Sequence, residues 1–250
     1  MMNRYFRTFS RPLVTASLLL LATLAAASDA DPELAAARAR ISTMIDFIGP
    51  ENVSGSPVKG WYTIQKGAFF AYATGDGRYV IQGDLFDLEA KANLSELRRT
   101  EMRRGLVNSL GDEDVILFSP IDPKYSVTVF TDVDCTYCRK LHAEIGDYMS
   151  RGIAVRYVLY PRNGPASRAW GTSEDVLCAS DRGVALTAAK LGQDFESAKC
   201  DSSLLSRHYI LGQDIGLNGT PAIILEDGTF IGGYVTPAML SARLVAATKR

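Results

Sequence analysis

Cys135 and Cys138 stand three positions apart in Thr131–Lys140, TDVDCTYCRK, directly after the apolar run SVTVF. A thiol pair at this spacing has three chemical uses: half of a metal clamp, a structural staple, or a dithiol couple that trades electrons with other disulfides. The couple is favoured where a strand gives way to a helix. Unpaired backbone N–H groups and the helix dipole there stabilise a thiolate, the attacking species in disulfide exchange. Cys135 is therefore the expected nucleophile, with a lowered pKa. Cys138, one turn further on, is placed to resolve a mixed disulfide. A zinc site needs more ligands than the pair supplies. Cys138 and His142 offer one C-x3-H spacing, but the chain has two histidines and no second CxxC. No metal and no cofactor is expected.

A second signal is Gly219-Thr220-Pro221-Ala222, just before the apolar run AIIL. Proline entering a strand cannot donate to the sheet ladder. It reads either as an ordinary strand-initiating residue or as a cis peptide in a tight turn that presents Thr220 backbone groups to an extended partner. His208 falls at helical spacing with Leu204, Leu211 and Ile215, the pattern of a packed, hydrogen-bonded core histidine rather than a ligand.

The elements that must carry these residues follow from pattern. Asp31-Pro32 opens a helix running through ELAAARARISTMIDFI. Residues 61–88 are short aromatic and β-branched runs separated by glycines and by the turn Thr74-Gly-Asp-Gly77, an antiparallel meander. Its aromatic side chains suit sheet core and subunit contact better than a ligand cage. Such a small unit gains by burying its sheet against a second copy. Residues 93–110 read as a helix capped by Asn93, with Arg98, Arg99, Arg103 and Arg104 on a solvated connector beside Glu96 and Glu101. From Lys124 the pattern becomes βαβ: YSVTVFTDV as strand, CRKLHAEIGDYMSRG as one helix, IAVRYVLYP as strand. Two or more helical segments span roughly 167–215, a hairpin turns at Asp227-Gly228, and Thr236-Pro237 starts a final helix.

The start of the chain bounds the compartment. Arg4, Arg7 and Arg11 precede the apolar run Leu13 to Ala27, which ends in Ala25-Ala26-Ala27. That is the layout of a cleaved secretory signal, and the run is short for a membrane span. Removing residues 1–27 takes three arginines and no acid from 27 basic and 28 acidic residues, leaving a net charge of −4. Mild acidity offers no footprint for nucleic acid. Four cysteines in an exported chain pair as a rule, and four allow three connectivities. The spacing favours Cys135 with Cys138 and Cys178 with Cys200.

These residues match a known family. CTYC after an FTD strand, with GTPA before a late strand, resembles the thioredoxin superfamily, and within it the periplasmic disulfide isomerases of the DsbC and DsbG type. The likeness runs through nearly all of the mature chain. YATGDGRYVIQGDLFDLE resembles the family's dimerisation domain, VTVFTDVDCTYCRKLH its active site, YPRNGP its next strand end, and HYILGQDIGLNGTPAIILEDGTFIGGY its C-terminal half. The resemblance implies an α+β protein: a signal peptide at 1–27, a helix-plus-antiparallel-sheet (cystatin-like) dimerisation domain at 28–90, a helical linker at 91–111, and a thioredoxin-like domain at 112–250 with a helical insertion about 165–215. It implies an exposed nucleophile at Cys135 partnered by Cys138, with Thr220 and a cis Pro221 facing them and holding substrate backbone. It also implies a structural disulfide between Cys178 and Cys200, and a V-shaped homodimer whose apolar cleft receives misfolded exported proteins. The implied activity is isomerisation or reduction of wrong disulfides in the periplasm, with a membrane-embedded DsbD-type reductase as electron donor.

The dipeptide between the cysteines, Thr136-Tyr137, departs from the Gly-Tyr of DsbC and the Pro-Tyr of DsbG. Strongly oxidising relatives carry histidine where Tyr137 stands, so its absence implies a less oxidising couple. Thr136, Tyr137 and His142 are candidates to tune the pair. Thioredoxin's buried acid, six positions before the first cysteine, is Val129 in this chain; Asp132 and Asp134 read as solvated loop carboxylates. Two other functions compete: a dimeric chaperone that holds unfolded chains with thiol chemistry secondary, and a dithiol oxidase.

Overall fold

A computed structural model describes residues 31–248. The expected signal segment and its cleavage site lie outside the described residues. Among those residues, no helix is long and apolar enough to cross a membrane.

The N-terminal unit is a helix on a four-stranded antiparallel sheet. Helix α1 (Pro32–Met44) begins where Asp31 Oδ1 accepts from the backbone N–H groups of Glu33 and Leu34, and proline fills its first turn. It ends earlier than its helix-forming composition suggests, because Ile45 is extended. Strands β1 (Val53–Gly55), β2 (Trp61–Lys66), β3 (Phe69–Thr74) and β4 (Val80–Gln82) pair in that order. Ala37 and Ile41 of α1 pack on Val53, Ile64, Ala71 and Ala73. This core is small, and β4 is an edge strand with every residue exposed.

A short β5–β6 ribbon (Phe86–Asp87 and Ala92–Asn93) leads into helix α2 (Leu94–Asn108), capped by Asn93 accepting from Glu96 N at 2.9 Å. The solvated-connector reading of α2 needs correction. Arg103 is buried: it pairs with Glu96 at 2.6 Å, reaches toward the Ile215 carbonyl, and lies over the Phe230 ring. The other end of the contact is Gly228, at φ +86°, where an added Cβ would fall 1.9 Å from the Thr100 carbonyl oxygen. The helix is docked on the hairpin that follows the Thr220–Pro221 step.

The C-terminal unit is a five-stranded sheet ordered β11-β10-β8-β9-β7, from β7 (Ile116–Phe118), β8 (Tyr125–Thr131), β9 (Ile153–Leu159), β10 (Ala222–Leu225) and β11 (Phe230–Gly232). Only β8 and β9 are parallel, and the crossover between them carries the cysteine pair. Both faces of the central strands are covered, so period-two alternation splits β8 and β10 between two cores. Val127, Val129, Ile223 and Leu225 face one; Phe130, Ala222 and Ile224 face the other, where α2 and α7 (Ser203–Ile215) supply Val107 and Ile215. Each such fully buried side chain contributes about 1.5–3 kcal/mol.

The expected single helix after the CxxC is two helices, α3 (Thr136–Ala143) and α4 (Ile145–Ser150), broken at Glu144. The break lets Glu144 accept from the Tyr234 hydroxyl at 2.5 Å and Tyr148 donate to the Val235 carbonyl. The insertion supplies α5 (Arg168–Cys178), α6 (Arg182–Leu191) and α7, and α8 (Pro237–Ala247), capped by Thr236, closes the fold. Cys178, at the end of α5, is bonded to Cys200 ahead of α7, with Cα atoms 5.5 Å apart.

Candidate active site

Strand β8 ends at Thr131, and four residues later Cys135 becomes the N-cap of α3. Its Sγ accepts from the Cys138 backbone N–H at 3.4 Å, the place a serine or aspartate oxygen takes at an ordinary helix start. As a thiol, Cys135 donates to the Thr220 carbonyl at 3.2 Å. The Thr220–Pro221 peptide is cis. The Thr220 hydroxyl is buried with no hydrogen-bond partner among the described residues. Cys135 and Cys138 are both free thiols.

The two thiols are driven apart. Cys135 is lowered to about 5, first because the Cys138 S–H donates to it, then because the Cys138 N–H adds to that donation and the Arg162 charge lies nearby; burial opposes the shift. Cys138 is pushed strongly upward by burial and by that same hydrogen bond. One sulfur therefore ionises while the other keeps its proton. The expectation of an exposed nucleophile is corrected in one respect: residue 135 is only 4% exposed, because the Thr220 loop closes over it from the far side of the helix start. Tyr137, by contrast, is 61% exposed, and Thr136 is exposed beside it, so the dipeptide forms the outer rim of the pair.

Asp132 is not a solvated carboxylate. It is 1% exposed; Oδ1 accepts from Asp134 N at 2.8 Å, and Oδ2 accepts from Arg162 N at 3.1 Å and Arg162 Nε at 2.9 Å. Asp134 also is tied down, by Arg139 and Arg168. These bonds lock the turn that delivers Cys135 and hold Arg162 beside it. The signal was available in principle: parallel strands of one βαβ unit end together, with Thr131 opposite Leu159, so residues just past each strand must meet.

His142 is 5% exposed and sits between Tyr157 OH (3.2 Å from Nδ1) and Thr187 Oγ1 (2.9 Å from Nε2). The Thr187 hydroxyl spends its proton on the Gly183 carbonyl, so Nε2 must donate to it and Nδ1 must accept from tyrosine. That is the neutral tautomer, and burial together with the nearby Lys190 charge lowers its pKa to about 4. An imidazolium does not tune this pair at neutral pH. His208 is likewise buried and neutral, accepting from Leu159 N and donating to the Asp114 carbonyl at 2.6 Å.

Sequence reasoning missed Lys190. It lies on α6 among alanines and leucine, where nothing local marks it, yet it is buried and donates to Thr131 Oγ1 at 2.7 Å. Among the described residues, no three metal-ligating side chains gather.

Comparison with known proteins agrees with this geometry. Residues 119–248 match a family model described as a thioredoxin-like domain, and residues 25–96 one described as a disulfide bond isomerase protein N-terminal domain. The chain is 38% identical to the thiol:disulfide interchange protein DsbC of Dickeya dadantii over 194 residues, 78% of this chain and 80% of the relative. It is 34% identical to DsbC of Escherichia coli K12 over 190 residues (76% and 79%), and 31% identical to that of Haemophilus influenzae over 230 residues (92% and 96%). With an N-terminal helix-and-sheet unit, a thioredoxin-like unit and a CxxC pair at its strand-to-helix junction, the chain belongs to the DsbC family of thiol:disulfide interchange proteins.

Proposed function

We propose that this protein isomerises or reduces wrong disulfides in exported proteins of the periplasm, with Cys135 as nucleophile and Cys138 as resolving thiol. The observation that carries the reading is the divergence of the two thiols. Cys135 is lowered to about 5 and is mostly thiolate at neutral pH, while Cys138 stays protonated. In the first step the Cys135 thiolate attacks one sulfur of a substrate disulfide. A mixed disulfide forms, and the other substrate sulfur leaves with the bonding electron pair. If a substrate thiolate then attacks the sulfur bonded to Cys135, the enzyme is freed with no net redox change, which is isomerisation. If Cys138 attacks Cys135 instead, the substrate gains two electrons and the enzyme is oxidised, which is reduction. A membrane-embedded DsbD-type reductase would then restore the dithiol.

Thr220 and Pro221 would receive the substrate chain, since the Thr220 carbonyl already meets the nucleophile and its hydroxyl lacks a partner. The tie between Cys178 and Cys200 would be structural, remote from exchange. Residues 28–90 would pair two copies. In support, β4 and its surroundings expose Tyr79, Val80, Ile81, Phe86 and Leu88, an apolar edge that the described residues do not cover. Secretion through a signal cleaved near Ala27 fits a disulfide-bearing chain.

The test is refolding of a scrambled multi-disulfide protein. Cys135→Ala should reduce catalysed refolding to the uncatalysed rate; refolding at the unsubstituted rate refutes the assignment. The exposed apolar edge also favours a holdase role. A Cys135→Ala, Cys138→Ala double variant that still suppresses thermal aggregation would support it, and one that does not would confine the protein to thiol chemistry.

A further inference from the structure

Lys190 is 3% exposed, yet among the described residues no carboxylate lies within ion-pairing distance of its ammonium. Its Nζ donates to Thr131 Oγ1 and lies 5.6 Å from the centroid of the Tyr157 ring. One hydroxyl and one aromatic face leave the charge without a counter-ion. Burying an unpaired ammonium is costly. The position therefore asks for a reason beyond packing.

The helix pair supplies one. Helix α6 meets α3 where His142 Nε2 donates to Thr187 Oγ1. Thr187 precedes Lys190 by one turn, and His142 follows Cys138 by one turn. That bond, with the Lys190 contact to the last residue of β8, packs α6 against the β8–α3 connection that carries buried Cys138. Tyr157 closes the group from β9, its hydroxyl on His142 and its ring against the ammonium.

We propose that the missing counter-charge of Lys190 is the thiolate that Cys138 becomes during the resolving step. Lys190 thereby sets how often a mixed disulfide ends in reduction rather than isomerisation. The inference rests on the dithiol reading above. Cys138 gives its proton to solvent, and its sulfur attacks Cys135 Sγ. The new Cys135–Cys138 bond forms as the Cys135–substrate bond breaks. The electron pair leaves with the substrate sulfur, which takes up a proton. The enzyme loses two electrons and the substrate disulfide gains them, so no other oxidant is needed.

The surroundings agree. Burial and the bond to Cys135 hold the proton on Cys138, and the charge of Lys190 is the largest influence against them. The charge on Cys135 is favoured by Arg162. Burial lowers Lys190 itself to about 8, so it remains mostly charged at neutral pH. Around it, Cys135 and Asp132 favour the ammonium and Arg139 opposes it, while His142 is neutral and the buried Tyr157 hydroxyl stays protonated.

Lys190→Met removes the charge at nearly constant length, Lys190→Gln removes it with a polar group, and Lys190→Arg keeps it. The reduced protein is mixed with oxidised glutathione, and acid quenching follows formation of the Cys135 adduct and its conversion to the internal disulfide. Adduct formation should change less than about threefold in every variant, while conversion slows at least about tenfold in Met and Gln, one pKa unit of lost thiolate stabilisation. Arg should restore conversion to within about threefold of the unsubstituted rate. Met should melt no lower than the unsubstituted protein, since an unpaired buried charge has gone. Conversion at the unsubstituted rate in Met or Gln overturns the inference. So does equal slowing in Met and Arg, or a Met variant that melts lower, because each points to a packing role. If the unsubstituted protein forms no adduct at Cys135, the dithiol reading itself fails; a normal adduct whose conversion ignores residue 190 refutes only the role of Lys190.

Discussion

Replacing Cys138 by alanine tests the electrostatic design of the pair directly. The largest cause of the low Cys135 pKa is the Cys138 S–H, ahead of the backbone N–H at 138 and the Arg162 charge. The substitution removes that one donor and keeps the backbone N–H and the arginine. A hydrogen bond to a charged acceptor is worth about 1.5–3 kcal/mol. At about 1.4 kcal/mol per pKa unit, Cys135 should rise from about 5 by about one to two units. The sign is that of an acid: the thiolate is present above the pKa and lost as pH falls through it. At pH 5.5 the ionised fraction should drop from about three-quarters to between about a quarter and a few per cent, while at pH 8 it changes little. The assay is the iodoacetamide alkylation rate from pH 4 to 9, checked by thiolate absorbance near 240 nm. A Cys138→Ala midpoint unmoved from that of the unsubstituted protein would refute the thiol-to-thiolate bond as the main cause. A midpoint near 9 in the unsubstituted protein would refute the activation of Cys135 altogether.

Two further outcomes follow from the structure. The bridge from Cys178 to Cys200 closes a loop with a sequence separation of 22, worth about 3 kcal/mol on the chain-entropy model. Replacing both cysteines by alanine should lower the melting temperature by about 6–12 °C, read by differential scanning calorimetry, while the alkylation midpoint of Cys135 stays in place. His142 and His208 are both held neutral, at about 4 each, so the unfolded chain binds more protons than the native one between about pH 6.5 and 4. Stability should be full above pH 6.5 and fall with acidification through that window, by up to about 1.4 kcal/mol per pH unit for each histidine; urea titrations at pH 4.5, 5.5 and 6.5 measure it, and His208→Gln should flatten the slope.

The thiol pair does not act alone. Asp132 locks the turn that delivers Cys135, and through Arg162 it holds a positive charge at that sulfur. The charge of Lys190 favours ionisation of Cys138 against the burial that opposes it. The two cations are carried by separate elements, and each bears on both sulfurs.

What the chain declared in advance was local. Asp31, Asn93 and Thr236 cap their helices because a short polar side chain reaches a backbone N–H two or three residues on, wherever the rest of the molecule lies. The same reach makes Cys135 a cap and brings it to the Cys138 N–H, so the chemistry of the pair was written in four residues. The strands β8 and β10 were legible for a similar reason: each is a short apolar, β-branched run set off by turn residues. What the local pattern could not carry was desolvation. Asp132 and Arg103 read as solvated charges, Lys190 carried no local mark, and each becomes buried only when a segment from 30, 112 or 59 residues away folds against it. Thr220, 85 residues from Cys135, meets it for the same reason. A hydrogen bond within one turn belongs to the sequence, but the dielectric around a charge, and hence its pKa and its partners, belongs to the packed structure.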